Sequence, residues 1–506
     1  MTLQEFSQNL KGKTEKGVTI ITTNNFIETV QEIYNTGARL ALMFAEIKKD
    51  KSVIHYLFDQ KEAIVELKQD VKNDTYLTIY NIYFSSLFFE NEIMDMFGFK
   101  ALGNEKLSRL TLHENIALDI HPLNKEFKYD TNLEWANIPK EFLKVEGRGV
   151  FEIPVGPIHA GVIEPGHFRF SLAGERIINI QPMLWFQHKG TEKLFENINP
   201  ENYIKLAERI SGDTSISHTL AHIQAVEKIL SVEVPIRAQL LRTILSELER
   251  IYNHVNDIGF IGQDTGFGPA GSQGMRLKEL VLRQNEKLTK SRMLRNVLCY
   301  GGVSFNLEQA QIEALSLFIQ KFKKDYSNVI KMNEDISTMT SRMETCGILK
   351  HSVAVDYATV GYPARASGVN TDTRVYHPYD GYKTIVTNIS VFKSGDVKAR
   401  YFVRVKEVIE SLRIIELAIE NLKKGPVNVK VNIKKATGSA YGITEGWRGE
   451  IIHYIAMDDG KITRAKIKDP SFSNWQAMVP TINGNIIGDF PLINKSFNLS
   501  YSGNDL

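Results

Sequence analysis

One short segment of the chain concentrates side chains that can move protons. Between residues 156 and 170 lie His159, Glu164, His167 and Arg169, set among glycines and prolines. A lone histidine usually serves packing, but two histidines, a glutamate and an arginine in one such segment are hard to explain that way. A carboxylate held beside a buried pocket can have its pKa raised and then exchanges protons near neutral pH. The chemistry expected here is proton exchange at a pocket.

A second set of polar side chains lies near the start of the helical part of the chain and could line a polar pocket. Its members are Ser211, Asp213, Thr214 and His218. Cysteine, in contrast, is scarce: Cys299 and Cys346 are the only two, and their separation does not resemble a ligand pattern. A disulfide framework, a zinc ribbon and an intrinsic iron–sulfur cluster are therefore unsupported.

Composition describes an ordinary globular protein. The 506 residues suffice for two or more domains with substantial cores. Lysine and arginine number 61, and aspartate and glutamate number 59, so net charge gives no reason to expect nucleic acid or an anionic membrane as a partner. The N-terminus lacks the features of a signal peptide, and no stretch reaches the ~18 apolar residues of a membrane span. We expect a cytoplasmic chain that other subunits hold at a membrane.

The first 125 residues are predicted to form a small α+β domain. Residues 18–23 and 76–80 are rich in β-branched and aromatic residues, as strands are, whereas residues 25–36 have the apolar spacing of a helix. Residues 126–149 are charged and carry few periodic apolar residues, which is typical of a linker. Strand-like sequence resumes at Val150.

The second domain, residues 150–506, is predicted to be mainly helical with small flanking β-sheets. Apolar residues recur in steps of three and four over residues 236–255 and 401–424, which indicates two long helices. Gly425 and Pro426 supply a stop signal for the second one. Residues 425–435 and 461–467 are predicted to be short strands.

A short acidic stretch near residue 95 closes the first domain. From its residues alone, 90–99 should be a surface helix that ends at Gly98. Its pattern Glu-x-Glu-x-x-Asp-Met-Phe-Gly, followed by His-Pro-Leu at 121–123, resembles the small hydrophilic subunit of complex I, the proton-pumping NADH–quinone oxidoreductase. Two linked motifs at the expected separation make this resemblance fairly specific.

The rest of the chain resembles the large subunit of energy-converting, membrane-bound [NiFe] hydrogenases of the formate hydrogenlyase and hydrogenase-4 type, and its complex I equivalent. The sequence Glu-Pro-Gly-His-Phe-Arg at 164–169 carries the first match. Further matching motifs lie at residues 187–196, 208–227, 235–254, 291–303, 364–379, 447–450 and 469–474. The resemblance implies fused small and large subunits: an α+β domain followed by a hydrogenase large-subunit-like domain.

The resemblance also implies roles for individual residues. In the hydrogenases two Cys-x-x-Cys pairs hold nickel and iron, and these positions fall here on Ser211, Thr214, Ser500 and Gly503. Complex I has a quinone-binding tyrosine where this chain has Gly212. Residues implied in catalysis are Glu164, His167, Asp213, His218 and Arg365. Residues implied in the cofactor pocket are His159, Ser211, Gly212, Thr214, Ser500, Gly503 and Asp505. Residues implied in docking a partner are His188, Lys189 and Glu192.

The missing cysteines decide what function to expect. Nickel and iron at such a site need soft thiolates, and hydroxyls are poor substitutes, so we expect no metal and no cofactor held by this chain alone. An iron–sulfur small subunit and membrane-arm subunits, including a complex I-like anchor, are the implied partners. Electrons would pass to a quinone or another acceptor at the cytoplasmic side of the inner membrane, coupled to ion translocation. The alternative is a structural or coupling subunit without redox chemistry, and a working hydrogenase is the least favoured interpretation.

The C-terminus carries a further expectation. Hydrogenases of this type usually lose a C-terminal extension after metal insertion, which would have no trigger here. We therefore expect the chain to be made with Leu506 as its end. The apolar residues between 490 and 499 should lie inside the core beside Ser211.

Overall fold

The computed structural model describes residues 1–48, 51–128, 130–133, 135–138, 141–159 and 163–506. Its N-terminal domain is built on a five-stranded mixed sheet with strand order β1-β2-β5-β4-β3. The strands are β1 (Lys13–Glu15), β2 (Val18–Ile21), β3 (Arg39–Lys48), β4 (Lys51–Gln60) and β5 (Ala63–Asp70). Strands β2 and β5 pair in parallel, and the other pairs are antiparallel.

Three helices and a small parallel pair of strands complete this domain. They are α1 (Leu3–Asn9), α2 (Phe26–Asn35), α3 (Ser86–Phe97), β6 (Thr75–Leu77) and β7 (Lys100–Leu102). The helix α2 and the strands β2 and β6 confirm the elements predicted from the apolar pattern. Helix α3 does end at Gly98, whose φ of 79° is in the left-handed region.

The expectation of a surface position for α3 is wrong. Glu90 is completely buried and Asp95 nearly so. Glu90 accepts hydrogen bonds from Ser86, Thr78 and Asn104, and Asp95 accepts bonds from three consecutive backbone amides at residues 110–112. These acidic side chains therefore organise the loops around α3 instead of facing water.

The predicted linker at 126–149 includes residues 129, 134, 139 and 140, which lie outside the described residues. The described part of that stretch contains no helix and no strand. After it, an antiparallel sheet is formed by β8 (Val150–Val155), β9 (His167–Ala173) and β10 (Arg176–Met183), in the order β10-β9-β8.

The second domain is mainly helical, as predicted. Its helices are α4 (Thr191–Asn197), α5 (Tyr203–Ala207), α6 (Ser215–Leu230), α7 (Ile236–Asp264), α8 (Gly268–Thr289), α9 (Gln309–Glu334), α10 (Ser337–Met343), α11 (His351–Asp356), α12 (Gly361–Ala366), α13 (Thr373–Tyr376), α14 (Val397–Glu420), α15 (Pro470–Ile482), α16 (Phe490–Phe497) and α17 (Tyr501–Asp505). The long α7 packs against α8 and α14 to form the centre of the bundle.

Two further sheets lie among these helices. A two-stranded ladder pairs β11 (Leu298–Cys299) with β12 (Gly302–Val303), and an antiparallel sheet joins β13 (Gly438–Gly446), β14 (Gly449–Asp458) and β15 (Lys461–Lys468). Strand β15 confirms the prediction for 461–467. The strand predicted at 425–435 is wrong, because this segment makes one isolated bridge, Asn428 with Gly302, and then a 3-10 turn at Ile433–Lys435.

The β13-β14-β15 sheet lies between α6 and the N-terminal domain. Across the domain boundary Arg464 donates to the carbonyl of Ala45 at 3.0 Å, and Tyr454 donates to Glu46 at 3.0 Å. Arg39 bonds to Glu450 across the same boundary. The middle of β3 is consequently buried on both faces. No helix in the described part of the chain is long and apolar enough to cross a membrane.

Candidate functional site

The two segments predicted to meet do meet. The loop before α6 carries Ser211, and the N-cap position of α17 carries Ser500, and their hydroxyl oxygens lie 2.9 Å apart. The backbone amide of Gly503 donates to the Ser500 hydroxyl at 2.8 Å. Both serines are buried. The predicted burial of the C-terminal segment is confirmed too, since Ile493 and Phe497 are fully buried and Leu499 nearly so.

A partly buried carboxylate and an arginine organise this meeting point. Arg448 donates two bonds of 2.8 Å to the two oxygens of Asp213. Ser211 and Thr214 each donate to the same carboxylate at 2.9 Å. Burial alone would raise the pKa of Asp213, but the facing guanidinium and the hydroxyl bonds hold it well below its usual range. Asp213 is therefore a carboxylate at neutral pH.

The hydroxyl groups use their hydrogens on one another and on Asp213. Because Ser211 donates to Asp213, the short contact between the serines requires Ser500 to donate to Ser211. Thr214 donates to Asp213 and accepts from the indole of Trp447 at 3.1 Å. We call these residues the 211–503 network: Ser211, Asp213, Thr214, Trp447, Arg448, Ser500 and Gly503. The hydrogens of its three hydroxyl groups are all used within the network.

The donor set of the 211–503 network does not fit nickel. It offers hydroxyls, a backbone amide and one carboxylate already held by an arginine, whereas a nickel–iron centre takes thiolate ligands. No group of three or more His, Cys, Asp or Glu side chains among the described residues is arranged to hold a metal ion.

Gly503 is also closed to a larger residue. A Cβ atom added there would lie 2.5 Å from Oδ2 of Asp469 and 3.1 Å from the Ser500 hydroxyl. Asp469 cannot easily withdraw, because it is bonded to Nε2 of His218 at 3.0 Å and accepts from the amide of Ser471 at 2.7 Å. His218 is fully buried, and its Nδ1 lies 3.1 Å from Nε2 of His453.

A cavity of about 800 Å³ opens beside the 211–503 network. We call it the C-terminal pocket. Its polar end carries Ser211, Asp213, Arg448 and Ser500. The remaining wall combines apolar and polar side chains: Val155, Ile163, Phe168, Phe260, Phe490, Pro491, Leu499 and Tyr501, with His159, Glu164, Gln263, Asp264, Asn494, Lys495 and Asn498. Such a site can take a largely apolar ring compound with a few polar substituents.

Of the segment at 156–170 that was predicted to exchange protons, His159 and Glu164 line this pocket, whereas His167 does not. Glu164 lines it and accepts bonds of 3.2 Å from the backbone amides of Tyr501 and Ser502, at the start of α17. His159 also lines it, and its Nε2 donates to the carbonyl of Gly166 at 2.7 Å. His167 is buried outside the lining, with Nδ1 at 3.2 Å from the carbonyl of Gly156.

Arg365 does not belong to the pocket, contrary to expectation. Its guanidinium is held by Glu407 at 2.6 Å and by Glu445 at 2.9 Å, and it is absent from the residues that line the cavity. The arginine at the pocket is Arg448. The sequence carried a signal for it, because Trp-Arg-Gly-Glu at 447–450 was one of the matching motifs. Asp264 and Tyr501, which also line the pocket, had no such signal.

The predicted docking residues mostly face inward. Glu192 is buried and bonded to Arg464 at 2.6 Å, and His188 bonds through Nδ1 to the carbonyl of Asp505 at 2.7 Å. Lys189 is the exposed one of the three, although its ammonium group donates to Ser502. Through His188 and Lys189, this segment holds the C-terminal helix α17. A docking role for Lys189 stays a prediction.

Asp505 is buried on the side of α17 that faces this segment. It accepts a bond of 2.9 Å from the backbone amide of Gln187, and it lies outside the lining of the C-terminal pocket. Burial raises the pKa of Asp505 to about 6. The prediction that Asp505 lies in the cofactor pocket is therefore wrong: Asp505 instead anchors the C-terminus.

Three family models match the chain. "Respiratory-chain NADH dehydrogenase, 30 Kd subunit" matches residues 18–132, and "Respiratory-chain NADH dehydrogenase, 49 Kd subunit" matches residues 264–435 and 428–505. "Nickel-dependent hydrogenase" matches residues 189–257, which contain the loop before α6.

Individual relatives match between 82% and 97% of the chain. Formate hydrogenlyase subunit 5 of Escherichia coli (strain K12) is 27% identical over 97% of this chain and 90% of its own length. Hydrogenase-4 component G of the same organism is 32% identical over 82% of this chain and 73% of its own length. The C/D subunit of NADH-quinone oxidoreductase from Sulfurihydrogenibium sp. (strain YO3AOP1) is 29% identical over 86% of this chain and 84% of its own length.

Proposed function

Because the chain belongs to the family of the fused 30 kDa and 49 kDa NADH dehydrogenase subunits and their hydrogenase-4 and formate hydrogenlyase counterparts, we propose that it is a peripheral redox subunit of a membrane-associated oxidoreductase complex. In this proposal it receives electrons from an iron–sulfur partner and passes them to a quinone or a similar acceptor. The complex couples this transfer to ion translocation, and the chain sits at the cytoplasmic side of the inner membrane.

One observation carries the proposal: the C-terminal pocket is a large cavity whose lining combines aromatic and aliphatic side chains with polar ones. Hydroxyls of Ser211 and Ser500 and the Arg448–Asp213 pair meet there. Reducing a quinone needs hydrogen bonds to its carbonyl oxygens and a source of protons. Arg448 lines the pocket as a hydrogen-bond donor, and Glu164 and His159, which also line it, are the candidate proton carriers.

An iron–sulfur partner follows from the cysteine count. Cys299 and Cys346 cannot hold a cluster, so a bound partner must deliver the electrons. Lys189, beside the buried network, is the exposed residue at which we place its docking. A redox-active chain purified without any partner would contradict this arrangement.

Nickel is excluded from the proposal by the chemistry of the 211–503 network. We expect elemental analysis of the purified complex to find no stoichiometric nickel. Near-stoichiometric nickel would mean that ligands other than the residues at 211, 214, 500 and 503 hold it.

The decisive experiment blocks the pocket. Gly212 lines the cavity, and a Cβ atom added there would find its nearest neighbour, an Arg295 nitrogen, at 3.8 Å. Because Gly212 is exposed, the variant Gly212→Leu should fold normally and add bulk at the solvent side of the cavity lining. In the purified complex, we expect quinone reduction by wild type and at least a tenfold loss of kcat/KM in Gly212→Leu. Gly268→Leu, at a glycine with no neighbour within 4 Å of an added Cβ, should retain full activity.

The second candidate, a coupling subunit without redox chemistry, is favoured by the closed hydrogen bonding of the 211–503 network. It predicts that the complex reduces its acceptor equally well in wild type and in Gly212→Leu. That result would remove the C-terminal pocket from the electron path.

A further inference from the structure

A second cavity, of about 740 Å³, lies where the two domains meet, and we call it the boundary cavity. The N-terminal domain lines it with Gly17, in the turn between β1 and β2, and with Ile64 of β5. The second domain lines it with the end of α6, the loop that follows and residues 377–383. None of its lining residues lines the C-terminal pocket, so the two cavities are separate sites.

Helix α6 contributes two polar side chains to the lining of the boundary cavity. Gln224 and Lys228 are four residues apart, so they are neighbours on one face of the helix, and both line the cavity. The ammonium group of Lys228 donates one hydrogen bond of 2.8 Å, to the carbonyl of Tyr441, and forms no ion pair within the described part of the chain. Since an ammonium group carries three donor hydrogens, two remain available to a ligand.

The side-chain amide of Gln224 has an unused donor. Gln224 is more than nine-tenths buried, and its Nε2 atom forms no hydrogen bond with any described residue. A buried donor without a partner costs free energy unless a ligand or an ordered water satisfies it. This donor is therefore a second sign, independent of Lys228, that the cavity holds a hydrogen-bond acceptor.

A short 3-10 turn at Asp380–Lys383 contributes two more charged side chains to the lining. Asp380 and Lys383 are three residues apart, which places them on the same side of a 3-10 helix. Lys383 is exposed and forms no ion pair among the described residues. Oδ1 of Asp380 lies 3.6 Å from Nη1 of Arg242, whereas Oδ2 is buried and has no hydrogen-bond partner in the described ranges.

The three acidic residues of the lining form no ion pair with these two lysines in the described part of the chain. Glu227 accepts bonds of 2.6 and 3.1 Å from the guanidinium of Arg242, and one of 2.7 Å from the amide of Gly301. Asp380 faces the same guanidinium, and Glu233 is exposed on the loop after α6. The two ammonium groups of the lining are thus left without paired counter-charges.

The titration of Lys228 reflects the missing counter-charge. Burial, together with the positive charge of Lys383, lowers the pKa of Lys228 to about 8. An anion in contact with both ammonium groups would offset their repulsion, because it attracts each of them.

We propose that the boundary cavity binds an organic anion whose carboxylate or phosphate group accepts hydrogen bonds from Lys228, Lys383 and Gln224. The volume lies within the range of small-molecule sites, and apolar side chains of the lining provide a surface for the body of the ligand: Ile64, Val232, Val234, Pro378 and Ile443. The unpartnered Oδ2 of Asp380 can accept a hydrogen bond from a hydroxyl or amino substituent. This site is independent of acceptor reduction in the C-terminal pocket.

Binding of simple aromatic anions to the purified full chain tests the site. Isothermal titration with phenyl phosphate and with benzoate should show saturable binding of at least one of them. Benzamide, which has the size of benzoate but no charge, should bind at least tenfold more weakly. The tighter anion identifies whether the site prefers a phosphate or a carboxylate. No saturable binding of either anion at millimolar concentration, or equally tight binding of benzamide, would overturn the proposal.

Variants assign the binding to the boundary cavity. Lys228→Gln and Gln224→Leu should each weaken binding of the anion at least tenfold, because each removes a donor. Lys383→Gln should have the same effect at an exposed position, where the substitution does not endanger folding. Lys324→Gln, at an exposed lysine of α9, is the control and should bind the anion as wild type does. Unchanged affinity in Lys228→Gln and Lys383→Gln would place the anion elsewhere and overturn the proposal.

A second measurement reports on Lys228 in the unaltered chain. Acetic anhydride acetylates neutral amines, and mass spectrometry of the digested chain gives the rate at each lysine. The tighter of the two anions, at saturating concentration, should slow acetylation of Lys228 at least fivefold and leave the rate at Lys324 unchanged. Equal rates at Lys228 with and without the anion would overturn the proposal, because the bound group would then not touch this ammonium group.

Discussion

Arg448 is the residue on which the 211–503 network depends most directly. Its side chain is almost fully buried and makes the two bonds to Asp213 and one of 2.6 Å to the carbonyl of Asn498. Arg448→Ala would leave the carboxylate unpaired. Because about a third of the Asp213 side chain is exposed, we expect a loss of about 2 kcal/mol, less than for a fully buried pair.

Urea unfolding of the purified chain measures this loss. The matched control is Arg276→Ala, since Arg276 makes an equally short two-point pair with Asp325 but at the surface. We expect the control to lose less than ~1 kcal/mol. Equal losses at the two sites would mean that the buried network contributes nothing beyond an ordinary surface ion pair.

At the scale of single elements, Glu249 of α7 fixes the start of α6. Its carboxyl group accepts bonds from the backbone amides of Ile216 and Ser217 and from the Ser217 hydroxyl. Burial raises the pKa of Glu249 to about 7 from an ordinary value of 4.5, more than these bonds lower it. The folded chain therefore keeps a proton that the unfolded chain has lost between these two pH values.

Protonation of Glu249 is coupled to folding, and this coupling makes the free energy of unfolding depend on pH. Since the folded state binds the extra proton, stability should fall as pH rises from 4.5 to 7, by roughly 3 kcal/mol, and level off above. Urea unfolding at pH 5 and pH 8 measures the difference. Glu249→Gln, which cannot ionise, should show a smaller difference than wild type. The same slope in both proteins would assign the pH dependence to other groups.

Helix α16 should contribute more to stability than its eight residues suggest. Phe497 is fully buried, and the guanidinium of Arg400 lies 4.2 Å from its ring centre. Phe497→Ala should cost about 3–5 kcal/mol, whereas Ile486→Ala, at a side chain 41% exposed, should cost well under ~1.5 kcal/mol. Deletion of residues 490–506 should abolish folding or assembly. Normal thermal stability of that truncation would show that the tail is dispensable.

Helices could be predicted from the sequence where apolar residues recur with a single helical period along the whole element. The apolar steps of three and four in α7 and α14 are read directly from the sequence, although α7 continues to Asp264 and α14 spans Val397–Glu420. The false strand at 425–435 has a physical reason. Val427, Val429 and Val431 alternate as in a strand, but the only facing backbone in the described part of the chain is the short loop at 301–303, so no ladder extends.

For the molecule as a whole, the domain boundary is continuous with the core. Arg39, Tyr454 and Arg464 bond across it, and the Tyr441 hydroxyl reaches the buried Glu66. We therefore expect the two domains to unfold together, in one calorimetric transition. The isolated fragment 150–506 should aggregate, because its β13-β14-β15 sheet would lose its cover. Two separate transitions, or a stable monomeric fragment, would contradict this.

The candidate site could be predicted only where the sequence resembles the hydrogenase large subunit. That resemblance predicted that the segments at 211–214 and 500–503 meet, although they lie almost 300 residues apart in the sequence. The burial of Glu192 and the position of Arg365 could not be foreseen, since both depend on partners far along the chain, Arg464 and Glu407. The polarity of these side chains indicated a surface or a pocket, and buried ion pairs satisfied them instead.

The crowding at Gly503 has a consequence for attempts to build a thiolate site here. A cysteine placed there alone would push against Asp469, which His218 and Ser471 hold in place. Cysteines at Ser211, Thr214 and Ser500 would replace side chains of similar size, whereas position 503 can accept one only if Asp469 is shortened at the same time. Engineering of such a site therefore begins at Asp469 and not at the ligand positions.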